Sequence, residues 1–314
     1  MKRIFLFICI TVSFTLAVSA GGRRDARRNA DGKIDVVATI FPPYDFVRAI
    51  AGDKVNLTML LPPAAESHSF EPTPQDIIQV QNSDIFIYVG GESDEWVNKI
   101  LDSMDTSRMK IITLMDCVEV VEEIIVEGMQ EEEEEEAGAE YDEHVWTSPR
   151  NAKLIIQKIA DVLKEVDTAN AAVYEKNTSA YLSKLDSLDA SFQNVVNGAR
   201  RKTIIFGDRF PFRYFADAYG LSYFAAFPGC STETECSAAT VAFLINKVKA
   251  EGLPVVFYIE LSNEKIADII CEETGAKKLL LHAVHNITRN DFMNGVTYYD
   301  LMTQNINNLR EALY

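Results

Sequence analysis

The chain has 314 residues, 47% of them hydrophobic and 25% charged, with a formal net charge of −17. These are the proportions of a soluble globular protein, and the length allows two domains or one large one. The acidic balance argues against a nucleic-acid partner, because phosphate binding needs a basic surface.

Residues 1–20 read as a secretory signal. Lys2 and Arg3 form the charged start, Ile4 to Val18 the apolar run, and Val18-Ser19-Ala20 a small-residue cleavage site. Export to the periplasm or the cell surface is the expectation. Cys9 sits inside the apolar run without a lipoprotein context. Residues 21–32 are basic and poor in apolar side chains, as a flexible tether would be. After cleavage the cysteines are Cys117, Cys230, Cys236 and Cys271. An exported chain can hold disulfides, and Cys230 and Cys236 are close enough in sequence to pair; free thiols are the equal alternative. No Cys-x-x-Cys spacing points to a four-thiolate metal site.

From residue 33 the pattern alternates strand and helix. Ile34 to Phe41 is a β-branched run suited to a strand buried on both faces, stopped by Pro42-Pro43. A helix follows over Asp45 to Ala51, then a strand over Val55 to Leu61. Thr73 to Asn82 reads as a helix with Thr73 as its cap and Pro74 at its first position. Asp84 to Val89 is a strand ending in Gly90-Gly91, Glu95 to Met104 a helix, and Lys110 to Met115 a strand. Strands separated by helices imply right-handed βαβ units and a parallel sheet.

An acidic loop over residues 119–143 follows, with thirteen acidic residues, no Lys or Arg, and the run Glu131 to Glu136 at its centre. Such a run repels itself and buries nothing. Its carboxylates would gather divalent cations weakly and exchange them fast. Asn151 to Val166, opened by Pro149, is an amphipathic helix. Thr168 to Asn197 is a longer one, uninterrupted by Pro or Gly and long enough to run along two lobes.

The alternation then resumes. Strands are expected at Thr203 to Phe206, Ser222 to Phe227, Pro254 to Ile259 and Lys278 to Leu281. Helices are expected at Phe212 to Tyr219 with Gly220 as C-cap, Ser237 to Gly252, Asn263 to Thr274 and Tyr298 to Leu313. Ligands of parallel α/β sheets sit beyond the carboxyl ends of strands, and Asp208, Glu260 and His282 all fall there. Asp208 serves equally as a helix cap, Glu260 reads rather as a cap, and His285 beside Asn286 as a surface turn.

Four histidines occur in the whole chain. His68 lies in Glu66-Ser67-His68-Ser69-Phe70-Glu71-Pro72-Thr73-Pro74, and His144 in Asp142-Glu143-His144-Val145-Trp146-Thr147-Ser148-Pro149. Both precede a proline that opens a helix, so each is expected as an exposed, fixed imidazole suited to a metal.

With these motifs the chain resembles the zinc/manganese solute-binding proteins of bacterial ABC importers, the ZnuA/TroA-like group (solute-binding protein family 9). Tyr214-Phe215-Ala216, Tyr219-Gly220-Leu221 and Glu273-Thr274-Gly275-Ala276-Lys277 match as well, and the likeness covers essentially the whole mature chain. The resemblance implies an α/β fold of two lobes, each with a mostly parallel sheet flanked by helices. Residues 33–166 would form the first lobe, 167–198 the long connecting helix and 199–314 the second lobe. It implies zinc held in the interlobe cleft, with manganese as the alternative cargo, and delivery by a monomer to the membrane permease of an ABC importer. Carried over, His68 and His144 are the first-lobe ligands. The third position, counted back from Tyr214, falls on Arg209, which stays cationic and cannot ligate; one residue earlier is Asp208. His282 stands where the group has an aspartate. The expected set is therefore His68, His144, Asp208 and His282, with Glu260 and His285 as second-lobe alternates. Three imidazoles favour zinc over manganese, with affinity falling as pH drops below about 6.5. A secreted metallo-hydrolase is the competing class, but neither His-Glu-x-x-His nor Gly-x-Ser-x-Gly occurs; no catalytic residues are assigned.

Overall fold

The structure is a computed structural model that describes residues 31–67, 69–129, 141–231 and 235–314. The leader, most of the tether, His68 and the glutamate run Glu131 to Glu136 lie outside the described residues.

The first sheet is built from β1 (Ile34–Ala38), β2 (Val55–Met59), β3 (Ile85–Tyr88) and β4 (Lys110–Thr113). Their order is β2-β1-β3-β4, all parallel. Ile34, Val36, Ala38, Ile85, Phe86 and Ile87 are completely buried, as a sheet covered on both faces requires. Three helices, α1 (Phe41–Ala51), α2 (Pro74–Asn82) and α3 (Glu95–Asp102), connect the strands. The expectation that Pro42 and Pro43 merely stop a strand is corrected. They lie in the first turn of α1, where a missing N–H costs nothing because those amides have no partner within the helix. Helix α2 starts as expected: the Thr73 side chain accepts from the Asp76 amide, and the Asp76 carboxylate accepts from the Thr73 amide at 2.8 Å.

Helix α4 (Pro149–Val166) closes the first half, and α5 (Ala171–Asn197) follows it. Residues Thr168–Asn170, expected as the first turn of α5, form a separate 3-10 turn. The 27 residues of α5 span about 40 Å at 1.5 Å each. The helix packs along most of its length on α4, from the Lys164–Glu175 pair to the Arg150–Asp189 pair, and also on α1 and on two second-lobe helices, α6 (Arg213–Tyr219) and α10 (Tyr298–Leu313). Tyr174, Leu185, Leu188 and Phe192 form its buried stripe.

In the second lobe β5 (Thr203–Ile205) pairs with β6 (Ser222–Phe224), and β7 (Val255–Tyr258) with β8 (Lys277–Leu280), both in parallel. A bridge between Phe206 and Phe257 joins the two pairs, giving the order β6-β5-β7-β8. The connections are α7 (Ala238–Glu251), α8 (Lys265–Thr274) and a short α9 (Arg289–Met293) that precedes α10. Gly220, Gly252 and Gly275 end α6, α7 and α8 in left-handed conformation. Cys117, Cys230, Cys236 and Cys271 are free thiols, so the Cys230–Cys236 pairing is not formed. Among the described residues no helix is long and apolar enough to cross a membrane.

Candidate metal centre

His144 ends the acidic loop and leads through one 3-10 turn, Val145–Thr147, into α4. The expected exposure is wrong: its side chain is completely buried, because Trp146 and the second lobe close over it. Asp142 fixes it. One carboxylate oxygen accepts from the His144 amide at 2.7 Å and lies 3.0 Å from Nδ1. A carboxylate at Nδ1 places the ring proton there and leaves the Nε2 lone pair for a metal. Asp142 is itself held by the Tyr214 hydroxyl, which donates to its carbonyl at 2.7 Å.

The second lobe answers with the loops after β7 and β8. Glu260 follows β7 and is buried; its two oxygens accept from the amides of Ala283 at 2.7 Å and His285 at 2.8 Å. Between these amides Val284 takes φ +65°, a strained position for a β-branched residue. That turn directs His285 inward. The reading of His285 as a surface residue is therefore corrected: it is 8% exposed, and its ring lies 4.6 Å from that of His144, edge to face. Its Nδ1 is 3.6 Å from Glu260. Each of these two histidines thus has a buried carboxylate on its Nδ1 side.

His282 and Asp208 are placed differently. His282 Nδ1 accepts from the Val284 amide at 3.0 Å and is 3.4 Å from Glu260, while its backbone is clamped on both sides by the Asn305 amide group. Asp208 accepts from the amides of Arg209 at 2.9 Å and Ile259 at 3.2 Å, a bracket between the loops after β5 and β7. Arg209 reaches across to Glu66 with two contacts of 3.3 Å and donates to the Ser231 carbonyl. His68 lies outside the described residues. Its neighbour Ser67 lines one pocket together with Glu143, Trp146 and His285.

Charge in the centre is divided. Burial pushes Asp94 up to about 6, Asp142 to about 7 and Glu143 to about 8. Glu143 is the most affected although Ser93 donates to both its oxygens. Burial also opposes ionisation of Glu260, but the imidazoles of His282 and His285, in their protonated forms, and the backbone amides that donate to its oxygens outweigh it and hold the carboxyl low, at about 2. Burial keeps His144 and His282 neutral, the form that ligates. A divalent cation would supply the charge that the three raised carboxyls lack.

The sequence matches the family ZnuA, described as zinc-uptake complex component A, periplasmic, over residues 36–312. It is 32% identical over 307 residues to the high-affinity zinc uptake system protein ZnuA of Bacillus subtilis (strain 168), covering 95% of this chain and 94% of that protein. It is 30% identical over 318 residues to the zinc-binding lipoprotein AdcA of Streptococcus pneumoniae (strain ATCC BAA-255 / R6), covering 99% of this chain but only 61% of AdcA. The crystal structure of the Zn(II)-bound ZnuA-like domain of Streptococcus pneumoniae AdcA superposes with a TM-score of 0.75 at 29% identity, over 90% of this chain and 99% of that one. The parallel sheets and the long helix agree with that match, and this chain belongs to the ZnuA family.

Proposed function

We propose that this chain is an extracytoplasmic zinc-binding protein that captures the ion between its lobes and delivers it to the permease of an ABC importer. One observation carries the reading: His144 and His285 come from different lobes, face each other at 4.6 Å, and each has a carboxylate on its Nδ1 side. Two imidazoles with buried carboxylates suit four-coordinate zinc better than manganese, which prefers more oxygen donors. We assign His68 and His144 as the first-lobe ligands and His285 as the second-lobe imidazole. His282 and Asp208 become positioning residues, since backbone amides already engage their donor atoms.

The same centre does not favour a metallo-hydrolase. Hydrolysis needs an open coordination position reached by water and a base beside it. Here the candidate ligand His144 is completely buried and His285 nearly so. We take residues 33–166 and 199–314 as the lobes and 167–198 as the connector. The protein is read as a monomer, exported and held at the periplasmic or outer cell surface.

Metal-stripped mature protein, loaded with equimolar zinc and manganese at neutral pH and then desalted, should retain one zinc per chain by elemental analysis. Retention of neither metal, or predominantly manganese, would overturn the reading.

A further inference from the structure

Beside His144 lies a residue that neither the fold family nor the histidine pairing calls for. The segment Phe227-Pro228-Gly229-Cys230 leaves the second-lobe sheet and passes directly against the first-lobe motif. A side-chain carbon at Gly229 would come within 3.2 Å of His144 Cε1 and 2.9 Å of the Phe210 carbonyl, so only glycine permits this approach. The amides of Gly229 and Cys230 both donate to Glu123 Oε1, at 2.5 and 3.2 Å, which locks the turn onto the stem of the acidic loop. That stem is closed by pairing between Glu122 and Tyr141. Glu143, His144 and Cys230 each thereby offer one ligand atom, all within 4.8 Å of one another.

These three donors share the metal centre described above rather than forming a remote one. His144 Nδ1 is turned to Asp142, so Nε2 is its ligating atom, and Glu143 lines the same pocket as His285. Cys230 places a second-lobe sulfur beside the first-lobe imidazole of His144.

We propose that Cys230 is a thiolate ligand of the captured ion, adding a sulfur donor beside His144 and Glu143 to the site assigned above, which makes it a mixed nitrogen–sulfur–oxygen site for a zinc-class cation. This rests on the reading that the chain binds zinc through His144. On binding, the Cys230 S–H bond breaks, its proton leaves to solvent, and the sulfur electron pair forms the S–Zn bond: Cys–SH + Zn2+ gives Cys–S–Zn+ and H+. No oxidant or reductant takes part. A sulfur donor shifts the site toward soft ions such as cadmium, and away from manganese.

Cobalt(II) reports sulfur ligation directly. Metal-stripped full-length mature protein titrated with cobalt should bind one ion per chain and show a sulfur-to-cobalt charge-transfer band in the near ultraviolet. The band should vanish in Cys230→Ser, which should still bind cobalt. It should persist in a variant with Cys117, Cys236 and Cys271 all changed to Ser. Zinc should bind Cys230→Ser at least about tenfold more weakly, the lower bound for losing a group that supports a metal site. Zinc should also protect Cys230 of the wild type from alkylation by iodoacetamide. Stoichiometric cobalt without the band refutes the cysteine assignment and leaves the zinc reading standing. Failure to bind cobalt or zinc at all refutes both.

Discussion

The two lobes bring unlike walls to one cleft. The first lobe contributes Asp94, Asp142 and Glu143, whose burial drives them toward their acid forms, at about 6, 7 and 8. The second contributes Glu260, kept ionised at about 2, and the cation of Arg209 close by, paired to Glu66. The sheets behind them share a strand order, β2-β1-β3-β4 against β6-β5-β7-β8, but not a construction. The first is paired along every seam, whereas the second is joined at its middle by the Phe206–Phe257 bridge. Similar topology thus supports opposite electrostatics, because charge is set by what closes over the strand ends. Glu260 finds backbone amides waiting in a strained turn; Glu143 finds Ser93 and two other acids. The second wall is organised before the ion arrives. The first acquires its full charge when the ion does.

The sharpest way to break this comparison is to exchange the roles of the two second-lobe histidines. His285→Ala should weaken zinc binding by at least about 100-fold, the upper range for losing a metal's supporting groups, while His282→Ala should cost about tenfold or less. Competition against a chromophoric chelator measures both. The reverse order would restore His282 as the ligand and make His285 the positioning residue.

A pH series sharpens the first wall. An acid whose pKa is raised on folding contributes stability that is complete below its unfolded value, and that contribution is lost as pH rises through the folded value. The model-compound values are 3.8 for Asp94 and Asp142 and 4.5 for Glu143, against about 6, 7 and 8 in the fold. Melting temperature of the metal-free protein should therefore fall between pH 5 and pH 8, by scanning fluorimetry. Zinc should raise it most at pH 8, where those carboxyls are otherwise charged and uncompensated. Zinc affinity should decline already below about pH 8, earlier than imidazole protonation alone predicts. A flat apo profile over this interval would remove the asymmetry between the walls.

The smallest expected effect tests the seam between the lobes. The buried Tyr298 hydroxyl donates to the Trp146 carbonyl at 2.8 Å, and Trp146 Nε1 donates to the Ala283 carbonyl at 2.8 Å. Tyr298→Phe leaves a buried carbonyl without that donor, which costs about 1–2 kcal/mol. Melting temperature should drop by about 2–4 °C per kcal/mol, with zinc stoichiometry unchanged. An unchanged melting temperature would show that this seam does not bear on stability.

Much of this architecture is legible in local sequence. The alternation of apolar runs, the Thr73-Pro74 start of α2, the Gly220 end of α6 and the uninterrupted stretch of α5 are decided within a few neighbours. The misreadings fall where tertiary contacts decide. Phe41-Pro42-Pro43 looks like a stop but opens a helix. Thr288 and Asp291 carry the cap of the unforeseen α9, a signal that was present. Half of the centre was visible as the Asp142-Glu143-His144 motif. Its burial was not, because acidic neighbours imply water until Ser93 and the second lobe are seen to cover them. His285 depends on Val284 accepting a left-handed backbone, which no β-branched propensity predicts. Cys230 reaches the site only through the contact of Gly229 with His144.

The long connector also sets a mechanical tolerance. A bend of about two degrees at the middle of a 27-residue, roughly 40 Å helix moves either end by about 0.7 Å. Metal–ligand distances are held to about 0.2 Å. Ligands drawn from both lobes stay within that tolerance only while the connector is stiff, and α1, α4, α6 and α10 brace it along its length. On the proposed reading, zinc affinity is therefore in part an elastic property. A glycine introduced on the exposed side of α5, for instance at Ser187, would loosen the grip on the ion without touching one of its ligands.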